Sequence, residues 1–292
     1  MPQVSGVDHR WVRVGEMNFH VAEAGEGDPI LLVHGWPQHW YAWRHVIPRL
    51  AETHRVIAVD LRGFGWTDIA WTGFEKEAMA DDIAALLGEL EIDRVTYVGH
   101  DWGAWIGYLL AMRRPELIER LVALSAPPPF HRVGAKTAVA MPRLRYQLAL
   151  ASPSAVKMLS NPRYVMHKVK AWAKLRDNLG PEVRKIYGRD LKASTRARAA
   201  MLLYRRFVTR ELPAALAGRY RGKRIEPPTL IMYGERDPIL RPVLYEGHER
   251  HFDDLRSEGV PAAGHLLPEE TPDLVADRVL EFAGAKAPAG VG

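Results

Sequence analysis

The run Gly99-His100-Asp101-Trp102-Gly103-Ala104 places a carboxylate where an apolar segment, Val95 to Val98, gives way to a helical pattern over 102–112. This is the layout of a nucleophile elbow, in which a strand turns sharply into a helix and the middle side chain is pushed out above the sheet. A serine there attacks acyl carbon. An aspartate is unsuited to that task, because its product with an ester would be an anhydride. It can instead displace a leaving group from saturated carbon, forming an alkyl ester that water then cleaves. The second half of that reaction needs a base for the water and an acid to orient the base. Elbow enzymes supply these in the order nucleophile, acid, histidine. Asp237, in Gly234-Glu235-Arg236-Asp237-Pro238, and His265, in Ala263-Gly264-His265, follow Asp101 in that order. An aspartate after a strand is ordinarily a turn residue, and most of the 12 histidines must be structural; the conjunction of three carries the meaning. His34-Gly35-Trp36-Pro37 follows another apolar run and falls where an oxyanion-binding loop belongs, so the backbone N–H groups of Trp36 and Trp102 are its candidates. The turn must aim the Trp36 N–H inward, which leads us to expect a cis Trp36-Pro37 peptide.

Strands ending on one edge must position these groups. Residues 11–24 read as two short strands around a Gly15-Glu16 turn. Ile30–Val33, Val56–Val59, Val95–Val98 and Leu121–Leu124 are short continuous apolar runs of the kind buried parallel strands show. Ala78–Leu90 has helical periodicity, with Ile83, Leu86, Leu87 and Leu90 on one face. Three prolines at 127–129 interrupt the alternation, and from Phe130 to about Arg224 only helical runs are found. Thr229–Tyr233 and Leu255–Val260 then restore the strand pattern, before a helix over 274–282. The pattern predicts an α/β class with a mostly parallel sheet flanked by helices. It divides the chain into a core part at 1–126, a helical cap at 127–224 and a second core part at 225–292.

Among the 292 residues there is no cysteine, which excludes disulfides, thiolate metal sites and cysteine nucleophiles. The net charge of +5 hides an asymmetry: 130–224 holds 23 Lys and Arg against 4 Asp and Glu, a net of +19, and the remainder carries −14. A solvated arginine-rich surface accounts for such a run; steering of anions, contact with an anionic membrane surface, or pairing with the acidic part of another copy are the functional readings. No nucleic-acid reading motif accompanies the charge, so no nucleic-acid partner is expected. Residues 1–11 lack the apolar core of a signal peptide, and no stretch approaches the ~20 apolar residues of a membrane span. We therefore expect a soluble cytoplasmic protein, monomeric or homodimeric, without metal or cofactor. The Ala/Gly/Pro-rich tail at 286–292 is expected to fray.

These residues make the chain resemble the α/β-hydrolase-fold epoxide hydrolases, which are close to the haloalkane dehalogenases. The resemblance runs from about Trp11 to Phe282. It rests on His-Gly-Trp-Pro at 34–37, Asp60-Leu-Arg-Gly-Phe-Gly65, Gly-His-Asp-Trp-Gly at 99–103, Gly-Glu-Arg-Asp at 234–237 and Gly-His at 264–265. It implies the α/β-hydrolase fold with an inserted helical cap, and two cap tyrosines that assist the departing epoxide oxygen. Tyr204, in Leu203-Tyr204-Arg205-Arg206-Phe207, matches the second of these. Tyr146, seven residues before Pro153, matches the first by spacing, with Tyr164, Tyr187 and Tyr220 as rivals. The chain departs from the family at Trp66-Thr67 and at Ser125-Ala-Pro-Pro-Pro-Phe130. The implied reaction turns a lipophilic epoxide into a vicinal diol through an ester on Asp101. Pocket walls are expected from Trp36, Trp40, Trp102, Phe130, Met141, Trp172, Leu203 and Leu266. Haloalkane dehalogenation with the same triad is the nearest alternative. A haloacetate dehalogenase would carry arginines where Trp102 and Trp105 stand, a serine esterase would need Gly-x-Ser-x-Gly, and a non-catalytic ligand-binding member of the fold is the remaining reading.

Overall fold

The structure, a computed structural model, describes residues 1–131, 134, 142 and 145–284; Met141 and the 286–292 tail lie outside them. Eight strands form one sheet: β1 (Asp8–Val14), β2 (Met17–Ala24), β3 (Pro29–Val33), β4 (Arg55–Val59), β5 (Val95–His100), β6 (Ile118–Leu124), β7 (Thr229–Gly234) and β8 (Leu255–Val260). Their order is β1-β2-β4-β3-β5-β6-β7-β8. β2 runs antiparallel to both its neighbours, and the other pairs are parallel. The strand runs expected from sequence are all present, each within a few residues of its expected ends.

The central strands are apolar on both faces because both faces are covered. Side chains of a strand alternate between faces. Leu31, Val33, Ile57, Val59, Leu121 and Ala123 pack into one core, with α2 (Lys76–Glu89) and α3 (Trp102–Arg113). Ile30, Leu32, Val56, Ala58, Val122 and Leu124 pack into a second core on the opposite face, with the short α1 (Ile47–Leu50) and the C-terminal α10 (Pro272–Ala283). Two separate layers thus explain why these strands read as unbroken apolar runs.

Between β6 and β7 the described residues hold only helices: α4 (Tyr146–Ala151), α5 (Ala155–Leu159), α6 (Pro162–Trp172), α7 (Pro181–Lys192), α8 (Ser194–Arg206) and α9 (Leu212–Leu216). A π-turn at Phe207–Glu211 joins α8 to α9, with the Leu212 N–H bonded to the Phe207 carbonyl. Pro213 supplies no N–H and crowds the carbonyl four residues before it, so an ordinary α register cannot run through this point. Among the described residues no helix is long and apolar enough to cross a membrane.

The motif at 60–65 positions a loop. Asp60 is fully buried and accepts from the N–H groups of Trp40 (2.7 Å) and Trp66 (2.9 Å) and from His20 Nδ1 (2.7 Å). Burial opposes its charged form, but the bond and charge of His20 outweigh it and hold the carboxyl at a pKa of about 2.

Candidate active site

Asp101 lies between β5 and α3 at φ 52° and ψ −116°, a strained conformation that aims its side chain away from both elements. Close passage is possible only because glycines flank it. A Cβ on Gly103 would stand 2.1 Å from the Val33 carbonyl oxygen, and one on Gly35 would stand 2.5 Å from Asp101 Oδ2. Asp101 also precedes the first turn of a helix, where N–H groups lack acceptors within the helix and the dipole favours negative charge. The Trp36 N–H donates to Asp101 Oδ2 at 3.1 Å, across a Trp36-Pro37 peptide that is cis as expected. The Trp102 N–H opens α3 beside it.

The loop after β7 brings Asp237 below the histidine. One Asp237 oxygen accepts from the N–H groups of Ile239 (2.7 Å) and Leu240 (3.0 Å), and the other bonds His265 Nδ1 at 2.7 Å. The ring is thereby turned so that Nε2 faces Asp101 Oδ1 at 3.8 Å, beyond hydrogen-bond reach. Burial would lower the His265 pKa, but the charges of Asp237 and Asp101 overcome it and raise it to about 10. The resting site therefore holds an imidazolium between two carboxylates.

Tyr204 and Tyr146 lie within electrostatic reach of Asp101. The Tyr204 ring meets Trp36 (5.5 Å), Trp102 (5.4 Å) and Tyr146 (6.2 Å) edge-on, and Trp172 roofs the group against Trp36 (5.7 Å), Tyr146 (5.4 Å) and His265 (5.9 Å). Burial first, then neighbouring negative charge including that of Asp101, raises both phenol pKa values, so both stay protonated. The rival tyrosines are engaged elsewhere: Tyr187 donates to Glu269, Tyr220 to Glu77, and Tyr164 lies under Lys168.

A largely apolar cavity reaches Asp101 from the α3 side, past Trp102, Trp105, Phe207, Leu212, Leu216 and Leu240. Such a lining suits an apolar organic ligand. Several expected wall residues are not on it. Trp40 lies in the core on the opposite face of the sheet, against His9 and Tyr41. Leu266 is buried in the same core, Leu203 is buried behind Tyr204, and Phe130 stacks on His251 at 4.1 Å. Size and apolarity suggested these residues; which face of an element they occupy decided otherwise. Trp105 and Phe207, which do line the cavity, were legible by spacing, each three residues after a residue already singled out and on the same helical face.

Glu270 was not singled out, and sequence carries no signal for it. Its carboxylate accepts from the N–H groups of Gly264 (2.8 Å) and Leu266 (2.8 Å), on either side of His265. It also accepts from those of Lys174 (2.7 Å) and Leu175 (2.9 Å), which follow α6. One side chain thus joins the histidine loop to the inserted helices.

The fold and this elbow site define the class: the chain belongs to the family described by the alpha/beta hydrolase fold, whose model matches residues 28–272. It is a hydrolase similar to epoxide hydrolases. The soluble epoxide hydrolase of Corynebacterium sp. (strain C12) is 29% identical over 291 residues, covering 94% of this chain and 97% of that protein. The solved structure of epoxide hydrolase CorEH superposes with a TM-score of 0.77 at 28% identity, covering 95% of this chain and 99% of that one. Cfl2 from Burkholderia cenocepacia superposes with a TM-score of 0.85 at 26% identity, covering 97% of each chain.

Proposed function

We propose that the protein hydrolyses lipophilic epoxides to vicinal diols through a covalent ester on Asp101. The observation that carries the reading is an elbow carboxylate beside a buried His–Asp pair and within electrostatic reach of two protonated phenols. A departing epoxide oxygen is strongly basic and needs a proton or a strong hydrogen bond as the ring opens, which a buried phenol can supply. Asp101 Oδ2 already sits in the Trp36 N–H, so Oδ1 is the oxygen free to attack. Tyr204 and Tyr146 hold the ring oxygen, and a tyrosine donates the proton. Water activated by His265, oriented by Asp237, then attacks the ester carbonyl, with the oxyanion held by the N–H groups of Trp36 and Trp102. The inserted helices act as a cap over the site, and the cavity's apolar walls favour apolar substituents.

The test is a single turnover of styrene oxide in heavy-oxygen water, with mass analysis of diol and protein. Unlabelled carboxylate oxygen should pass to the diol and label should enter Asp101. Label entering the diol directly in the first turnover would overturn the ester route.

One observation favours haloalkane dehalogenation as a second reading. The indole N–H groups of Trp36 and Trp105 are buried and donate to no acceptor among the described residues, and such groups can hold a departing halide. Tyr204→Phe separates the two readings. Epoxide opening should slow by about 10²- to 10⁴-fold, the usual worth of a positioned acid, while ester hydrolysis stays unchanged. Equal single-turnover alkylation rates for wild type and variant would remove Tyr204 from the mechanism.

A further inference from the structure

The first turn of α2 grips the cap at three consecutive residues. Glu75 pairs with Arg206 (3.2 Å) and Arg210 (3.8 Å), and Glu77 pairs with Arg219 (2.6 Å) and accepts from the Tyr220 hydroxyl (3.0 Å). These outer pairs are partly exposed and so individually weak. Lys76 between them is different, being wholly buried. Its Nζ donates to Glu211 Oε2 (2.8 Å) and to the Leu203 carbonyl (3.0 Å), while its backbone N–H donates to Glu211 Oε1 (2.7 Å). The ammonium also lies over the rings of Trp102 (4.5 Å) and Phe207 (5.1 Å).

We propose that Lys76, acting with Glu211, is a positioning residue that sets the helix carrying Tyr204 over Asp101. This rests on the epoxide reading above for its kinetic consequence. The residues it touches are those whose placement matters. Trp102 follows Asp101, Leu203 precedes Tyr204, and Phe207 lies one turn beyond Tyr204 on the cavity wall. The π-turn is what brings the Glu211 carboxylate to α2, and such turns recur at functional sites. Glu211 also caps α2, meeting an N–H that has no partner within the helix. For stability alone, apolar side chains of similar volume serve as well as a buried ion pair or better; what a paired charge adds is a fixed register. The cap helix can slide against an apolar contact but not against this bonded one.

That difference makes the test. The double variant Lys76→Met/Glu211→Leu removes both charges together. It should keep the wild-type unfolding midpoint within a few degrees, yet slow single-turnover alkylation by about 10- to 100-fold, the effect of a misplacement near 1 Å. Hydrolysis of the preformed ester, which uses His265 and Asp237, should stay within about twofold. Amide exchange over 194–211 should speed up relative to the sheet. Alkylation at the wild-type rate, or equal slowing of both steps, would overturn the proposal. If the double variant does not fold, the near-isosteric Glu211→Gln should show the same imbalance between steps at several-fold, and its absence decides against. Should wild type form no adduct with any epoxide, the functional reading fails by itself, and amide exchange alone then decides whether this pair seats the helix.

Discussion

Asp101→Ala should lower turnover of a reactive epoxide by at least about 10⁴-fold and abolish the protein-bound adduct. Loss of the nucleophile from a triad costs about that much or more, because what remains is only binding and oxyanion stabilisation. The change is small structurally. The Asp101 side chain accepts a hydrogen bond from the Trp36 N–H, and alanine keeps a Cβ in the same strained backbone. Failure to fold is therefore not the expected cause of inactivity, and thermal unfolding of the variant checks this directly. A second consequence concerns the histidine. Two carboxylates hold His265 at about 10 against its burial. Removing one should move its titration, followed by NMR, to a lower pH. Diol formation near the wild-type rate would remove Asp101 from the nucleophile's role, whereas inactivity with unchanged His265 titration would mean the two side chains are not coupled as the geometry indicates.

What sequence revealed and what it concealed divide along a physical line. The parallel strands were legible because each is a run buried on both faces. The order Asp101, Asp237, His265 was legible because each residue lies within a few positions of a strand's end, so a strand pattern places it on the same edge of the sheet. Contacts between the cap and core had no such anchor. Glu270 joins 264–266 to 174–175, and Lys76 meets Glu211 from 135 residues away; neither pairing leaves a periodic trace. The π-turn shifts the register of everything after Glu211, so Leu212 and Leu216 could not be placed on the cavity by counting. The basic insertion gains part of its explanation here. Arg206 and Arg210 pair with Glu75, Arg219 with Glu77 and Arg224 with Asp253. Part of the acidic partner that its charge calls for is its own core.

In His265→Gln the ester should form and persist, seen as a protein mass raised by that of one epoxide, with its hydrolysis slowed by about 10²- to 10⁴-fold for want of the general base. Wild type should reveal why the base works at neutral pH although its resting pKa is about 10. In the resting site the imidazolium is paired with Asp101 and can accept no proton. Alkylation turns that carboxylate into a neutral ester, so one of the two raising charges disappears. Burial, which lowers the pKa and is the largest influence on it, is then opposed mainly by Asp237. The ring can then give up its proton, which restores the phenol that ring opening had deprotonated, and becomes the neutral base the water needs. Ring opening, which does not use the imidazole as a base, should stay flat between about pH 6 and 9. Ester hydrolysis should rise with pH to a plateau, with an apparent pKa well below that of the resting enzyme. The step belongs to His265, so it should vanish in His265→Gln. An apparent pKa for hydrolysis at or above about 10 in wild type would mean that the ester does not release the histidine. An inactive His265→Gln protein carrying no adduct would place His265 in the first chemical step, and the two-step scheme would have to be abandoned.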